Sequence, residues 1–357
     1  MLGSCRYISS YPFKYRIKLM QYFKNDTVSI YNNTINIYNN SAVSSLYPVR
    51  VSKYYAGLIR QQGDAIWKQC MPDLLELEDD IQSPDPLWET SLSPFPGLIH
   101  RYPDRVVLLV SNLCPVYCRF CMRKRHVGSG DSPMRDSELK RALEYIAANK
   151  AIRDVILSGG DPLMLDDTSL QQIMSGLRAI NHVSIIRIGT RVPVTLPERI
   201  TEDLCDLLKC FHPLYINTHF NHPDEITVDS SRACTMLADA GIPLGNQTVL
   251  LKGVNDDIEI MRTLMTGLLG IRVKPYYLHQ MDLVRGTAHF RTSVEKGLEI
   301  VRGLRGHISG LAIPHYVIDL PGGKGKVAVQ PNDAERVGDT LLLRSYTGER
   351  IIYRDIA

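Results

Sequence analysis

From about residue 106 the chain alternates between two hydrophobic periodicities. Apolar, β-branched runs of strand length fall at 107–111, 154–158, 184–188, 214–218, 246–251 and 273–278, each followed by a segment with helical spacing. Leu170, Ile173 and Leu177 trace one helical face, Cys234, Leu237 and Ala238 another, and Val294, Leu298, Val301 and Leu304 a third. Strand alternating with helix predicts a parallel sheet with helices outside it. Six units over residues 106–308 suit an α/β fold of the partial (β/α)6 TIM-like type better than a closed eightfold barrel.

The flanks read differently. Residues 46–105 and 309–357 are expected to cover the barrel. Pro94, Pro96 and Pro103 punctuate the approach to the first strand, and shorter strands with turns, such as 316–319 and 341–346, follow the last helix. Residues 1–45 carry Arg6, Lys14, Arg16, Lys18 and Lys24 against one acid, Asp26, before an Asn/Tyr-rich run at 31–40. Such a stretch loosely has the look of an organelle transit segment; the plainer expectation is a disordered extension, with Met20 an internal alternative start.

Composition adds little to this. The 357 residues are 44% hydrophobic and 22% charged, ordinary for a globular enzyme able to build its core without staples. A net charge of +3 gives no reason to expect nucleic acid. No signal peptide or bilayer-length apolar run is visible, so a cytoplasmic protein without a membrane partner is expected. The eight cysteines change the picture more. Cys5, Cys70, Cys205, Cys210 and Cys234 are scattered and read mostly as buried free thiols, whereas Cys114, Cys118 and Cys121 are clustered. In a reducing compartment such a cluster points to metal before disulfide.

In a parallel barrel the reacting groups sit on loops at the carboxyl ends of strands. Cys114-Pro-Val-Tyr-Cys118-Arg-Phe-Cys121 directly follows the first strand. Three thiolates on a four-iron cluster leave one iron open to a small ligand. The alternative is a Cys3His zinc site completed by His126, although zinc hooks of the C-x2-C kind usually come in pairs. Ser158-Gly159-Gly160-Asp161 follows the second strand, where glycines let backbone approach a ligand closely or simply make a turn. Pro321-Gly-Gly-Lys324-Gly-Lys326 is not a P-loop, because Leu320 and Val327 stand where glycine and Ser/Thr would be needed. Locally it reads as an exposed hairpin. The basic run 119–126 is either a solvated loop or a nucleic-acid patch, and its place directly on the cysteines argues against the latter.

The C-x3-C-x2-C spacing with an aromatic before the last cysteine resembles the radical S-adenosylmethionine superfamily. The wider text is similar to lysine 2,3-aminomutases. It comprises His100-Arg-Tyr-Pro-Asp-Arg105, Arg123-Lys-Arg125, Ser158-Gly-Gly-Asp-Pro-Leu163, Pro275-Tyr-Tyr, His289-Phe-Arg-Thr292 and Pro321-Gly-Gly-Lys-Gly-Lys326, and spans roughly residues 46 to 353. The resemblance implies a [4Fe–4S] cluster on Cys114, Cys118 and Cys121, with S-adenosylmethionine held near Ser158, Gly159, Gly160 and Asp161. It implies pyridoxal 5′-phosphate bound to Lys326 as a Schiff base, with Arg101 and Arg105 on its phosphate, an anion that suits the arginine fork. Arg123 would meet the substrate α-carboxylate, and Asp282 and Asp319 the ε-ammonium of lysine, with His219 and Gln247 lining the cavity. Without the resemblance, Asp282 and Asp319 are ordinary loop acids.

The activity implied is interconversion of L-lysine and β-lysine by amino migration, with an electron donor such as flavodoxin or ferredoxin. Alternatives are a relative making β-lysine for elongation factor P, a 2,3-aminomutase for another amino acid, or a non-catalytic iron–sulfur or zinc module. A homo-oligomer is compatible with the resemblance. No cysteine follows Cys234, so the zinc-binding tail of the clostridial-type enzymes is not expected, and Met122, Lys124 and Lys324 also depart from the common pattern.

Overall fold

The computed structural model describes residues 27–31, 34–38, 42–79, 82–128, 133–338 and 340–354. The six expected strands are present as β5 (Arg105–Ser111), β6 (Asp154–Gly159), β7 (Ile185–Gly189), β8 (Leu214–Thr218), β9 (Leu244–Leu250) and β10 (Lys274–Gln280). They follow β1 (Thr27–Tyr31), β2 (Thr34–Tyr38), β3 (Val49–Ser52) and β4 (Leu98–Tyr102). Behind them come β11 (His315–Asp319) and β12 (Lys326–Ala328). In the main sheet β4 to β12 lie side by side in chain order. All neighbours from β5 to β11 are parallel, and the edge strands β4 and β12 are antiparallel to theirs.

Parallel neighbours need crossovers. These are supplied by α1 (Asp136–Ala148), α2 (Asp167–Arg178), α3 (Glu202–Lys209), α4 (Val228–Asp239), α5 (Ile258–Gly270) and α6 (Val294–Leu304). Asp166, Thr201, Thr227, Asp257 and Ser293 each cap a helix start with a side-chain acceptor.

Alternate strand residues point to opposite faces. Val155 and Leu157 of β6, and Ile186 and Ile188 of β7, are fully buried in one core with Leu170, Ile173 and Leu177 of α2. The intervening half-buried positions, among them Ser158, Gln247 and His279, lie on the other side of the sheet. That side is concave, because the two edges of the sheet reach each other. The Tyr102 hydroxyl on β4 accepts from the backbone N–H of Lys326 on β12 (3.0 Å), and Arg101 on β4 lies 3.4 Å from Asp319 on β11. The strands curl into a partial barrel whose open seam is bridged by side chains.

Within the stretch read as a disordered extension, β1 and β2 pair antiparallel with each other, and β2 pairs with β3. The alternation in Thr-Val-Ser-Ile-Tyr and Thr-Ile-Asn-Ile-Tyr favours strands, and the Asn/Tyr-rich composition hides it. Residues 1–26 lie outside the described residues, as does Cys5. A second small sheet, β13 (Ala334–Val337), β14 (Thr340–Arg344) and β15 (Arg350–Arg354), follows the main one. No helix among the described residues is long and apolar enough to cross a membrane.

Candidate active site

The chain leaves β5 at Ser111 and turns through the cysteine loop. Cys114, Cys118 and Cys121 are free thiols, each half-buried. Burial pushes the Cys114 thiol well up, helped by Asp161 and the other two cysteines, and pushes Cys121 up to about 11, helped by Cys118. Crowded sulfurs of this kind lose their protons when a metal centre lies beside them, since a coordinating thiol is deprotonated outright. Among the described residues no three His, Cys, Asp or Glu side chains come close enough to hold a single metal ion. Three cysteine thiolates on one loop suit an iron–sulfur cluster, whose irons are held by cysteine sulfur.

The glycine loop after β6 is packed against this cysteine loop. The Gly160 and Asp161 N–H groups donate to the Ser111 and Leu113 carbonyls at 2.6 and 2.7 Å. A Cβ at Gly159 would lie 2.1 Å from the Ser111 oxygen, and one at Gly160 only 2.4 Å from that of Leu113. The glycines are therefore required by close approach to chain 111–113, not only by a ligand. The Asp161 carboxylate is turned away into the protein. It accepts from the Thr190 hydroxyl (2.6 Å) and from the N–H groups of Arg191, Val192 and Leu163. It braces the loops after β6 and β7.

The four cations Arg119, Arg123, Lys124 and Arg125 of the basic run are paired with acids rather than solvated, and only His126 among 119–126 is exposed. Arg119 and Lys124 are buried and share Glu76, whose two oxygens receive Arg119 at 2.9 and 2.6 Å and Lys124 at 2.6 Å. Arg123 is gripped by both oxygens of Glu89 (3.0 and 2.7 Å) and donates to the Ser158 hydroxyl at 3.1 Å. Arg125 pairs with Asp85 at 3.0 Å. All these acids come from residues 76–89, which the charges of the cysteine loop hold in place.

Lys326, Asp319 and Asp282 converge from β12, the end of β11 and the loop after β10. The Lys326 ammonium donates to Asp319, whose carboxylate also lies 3.3 Å from His279 Nδ1. Burial alone would raise Asp319, but His279 and Lys326 hold its carboxyl well below the usual range. Asp282 goes the other way. Burial, then the charge of Asp319, pushes it up to about 7. Arg101 reaches this group through Asp319. Arg105 is spent on the adjacent Asp104 and stacks over Tyr102, the residue that holds the Lys326 backbone.

His219, just past β8, donates from Nε2 to Asn221 Oδ1 at 2.9 Å and packs its ring 5.4 Å from that of Phe120. Burial and the Arg191 charge push its pKa well down, so it is neutral. Gln247 lies on β9 opposite Tyr277. Sequence reasoning missed Glu76, Glu89, Arg191, Glu225 and His279. The first two could have been suspected, because a basic run without local acids must find acids elsewhere, and the stretch from Asp73 to Glu89 is the acid-rich segment nearby.

Comparison with known proteins agrees with this geometry. The radical SAM superfamily model matches residues 108–264, and a lysine-2,3-aminomutase model matches residues 301–356. The L-lysine 2,3-aminomutase of Fusobacterium nucleatum is 50% identical over 309 residues, covering 85% of this chain and 73% of that protein. That of Clostridium subterminale is 49% identical over 311 residues, covering 85% and 74%. The glutamate 2,3-aminomutase of Clostridioides difficile is 47% identical over 308 residues, covering 85% and 73%. Likeness over this length embraces the cysteine loop, the glycine loop and the lysine hairpin together, and the chain belongs to the lysine 2,3-aminomutase family of radical SAM enzymes.

Proposed function

We propose that the chain interconverts L-lysine and β-lysine by moving the amino group between C2 and C3. The observation that carries this is the meeting of Lys326, Asp319 and Asp282 on the concave side of the sheet. When bound, the cluster on Cys114, Cys118 and Cys121 with S-adenosylmethionine supplies the hydrogen-abstracting radical, and pyridoxal phosphate on Lys326 supplies the conjugated carrier for the migrating nitrogen.

The chain's own residues bind, orient and set protonation. Asp319, kept ionised by His279, offers a carboxylate to the ε-ammonium as soon as Lys326 is engaged elsewhere. Asp282 gives up its proton when that ammonium arrives, since an opposite charge at close range favours the ionised form. Arg123 is fixed by Glu89 along one edge and Ser158 on the other, leaving N–H groups for the α-carboxylate. Arg101 and Arg105 flank the lysine hairpin as phosphate ligands; Arg105 would have to release Asp104, an exposed pair that holds it weakly. His219 and Gln247 line the S-adenosylmethionine side with the Ser158–Asp161 loop, where Asp161 acts by bracing. Residues 46–105 cover this site, 106–308 form the (β/α)6 body, and 309–357 bring the lysine. Adding lysine to the pyridoxal-loaded protein should shift its visible absorption as Lys326 is displaced, whereas glutamate should not. A shift with glutamate alone would contradict the substrate assignment.

A further inference from the structure

Arg191 lies two residues beyond the end of β7, and its guanidinium is almost wholly buried. Every donor atom on it is engaged. Nε donates to the His219 carbonyl (3.1 Å), and Nη2 to Gln69 (2.6 Å), Glu225 (2.7 Å) and the Tyr55 hydroxyl (3.2 Å). Nη1 donates to the sulfur of Cys118 at 2.8 Å. The backbone N–H is fixed on Asp161, and the cation lies 5.2 Å from the Phe120 ring centre. A group tied down at so many points has no freedom to drift, so its charge is a fixed feature of the cysteine loop. Cys121, by contrast, receives a backbone N–H, from Arg123 at 3.3 Å, and no side-chain donor among the described residues.

Glu225 stands behind the cation. It is fully buried, and its second oxygen accepts from the N–H groups of Asn221 (2.6 Å) and His222 (3.0 Å). The pair is neutral overall, but its positive end faces the sulfur and its negative end faces away. Hydrogen bonds to ligand sulfurs and local charge both tune an iron–sulfur potential, and a donor or positive charge favours the electron-rich reduced state. We infer that Arg191 is a positioning residue that raises the reduction potential of the cluster through Cys118, and that Glu225 limits the size of that effect. This rests on the reading that Cys114, Cys118 and Cys121 hold a [4Fe–4S] cluster.

The test is an EPR-monitored redox titration of the reconstituted full chain, with iron and labile sulfide measured on the same samples. Arg191→Met should lower the reduced-to-oxidised ratio at a fixed potential about tenfold, a downward shift of about 59 mV for one electron. Glu225→Gln, which leaves the cation uncompensated, should shift it upward. A merely structural role would change cluster content and could not give opposite signs. Should Arg191→Met not accumulate, the upward shift of Glu225→Gln decides alone. Wild-type midpoints in variants with full iron and sulfide would overturn the inference. Absence of labile sulfide in the wild type would overturn the cluster reading beneath it.

Discussion

Asp319 and Lys326 face each other across the antiparallel pair of β11 and β12, and the ammonium of one donates to the carboxylate of the other. In the proposed function this contact is exchanged. Once the lysine nitrogen is engaged, the same carboxylate turns to the substrate ammonium. Asp319→Asn should therefore lower kcat/KM for lysine roughly 10- to 100-fold, the loss of a charge-assisted bond of about 1.5–3 kcal/mol. Pyridoxal absorbance should remain. Unchanged steady-state kinetics in a pyridoxal-loaded variant would remove Asp319 from substrate recognition.

Asp282 gives the pH dependence a definite sign. Burial and Asp319 raise its carboxyl to about 7 in the free protein. The ionised form receives the ammonium, so kcat/KM for lysine should rise with pH through about 7, because that parameter reports free-enzyme groups. Asp282→Asn should lose this limb and most of the activity. A limb retained in the variant would assign it to another group.

Glu76 holds two buried cations, Arg119 and Lys124. Glu76→Gln leaves them without a counter-charge and should cost about 3–5 kcal/mol in denaturant unfolding. Burial opposes ionisation of Glu76, but Arg119 and Lys124 lower its carboxyl below the ordinary value. Its stabilisation is therefore present above the usual glutamate range and lost as pH falls through the depressed value. The variant's stability should vary less with pH across that acid range. Equal acid sensitivity in both proteins would contradict this.

At Gly160 the smallest side chain is already too large, since its Cβ would meet the Leu113 carbonyl at 2.4 Å. Gly160→Ala should displace the cysteine loop and lower iron and sulfide content after reconstitution, leaving the helix signal in circular dichroism near wild type. Full cluster loading would show that the two loops move independently.

The strands were legible because their pattern is local. Continuous apolar, β-branched runs of strand length mark β5 to β10, and the cysteine spacing lies within one loop. The ends of these strands shifted by a residue or two, as at β9, where Leu244 and Gly245 precede the expected start. The groups that brace the site were not legible. Glu76 and Arg119 stand 43 positions apart, and Arg191 and Cys118 stand 73 apart, so no local spacing joins them. No local spacing shows that Glu89, from another segment, holds one edge of Arg123. The Ser-Gly-Gly-Asp loop was read for its ligand, yet its glycines and Asp161 answer first to neighbouring backbone.

Turnover of lysine tests the proposed amino migration most directly. Protein reconstituted anaerobically with iron and sulfide, then given S-adenosylmethionine, dithionite, pyridoxal phosphate and lysine, should form β-lysine, read by NMR. Lysine left unchanged while glutamate or another amino acid isomerises would contradict the account.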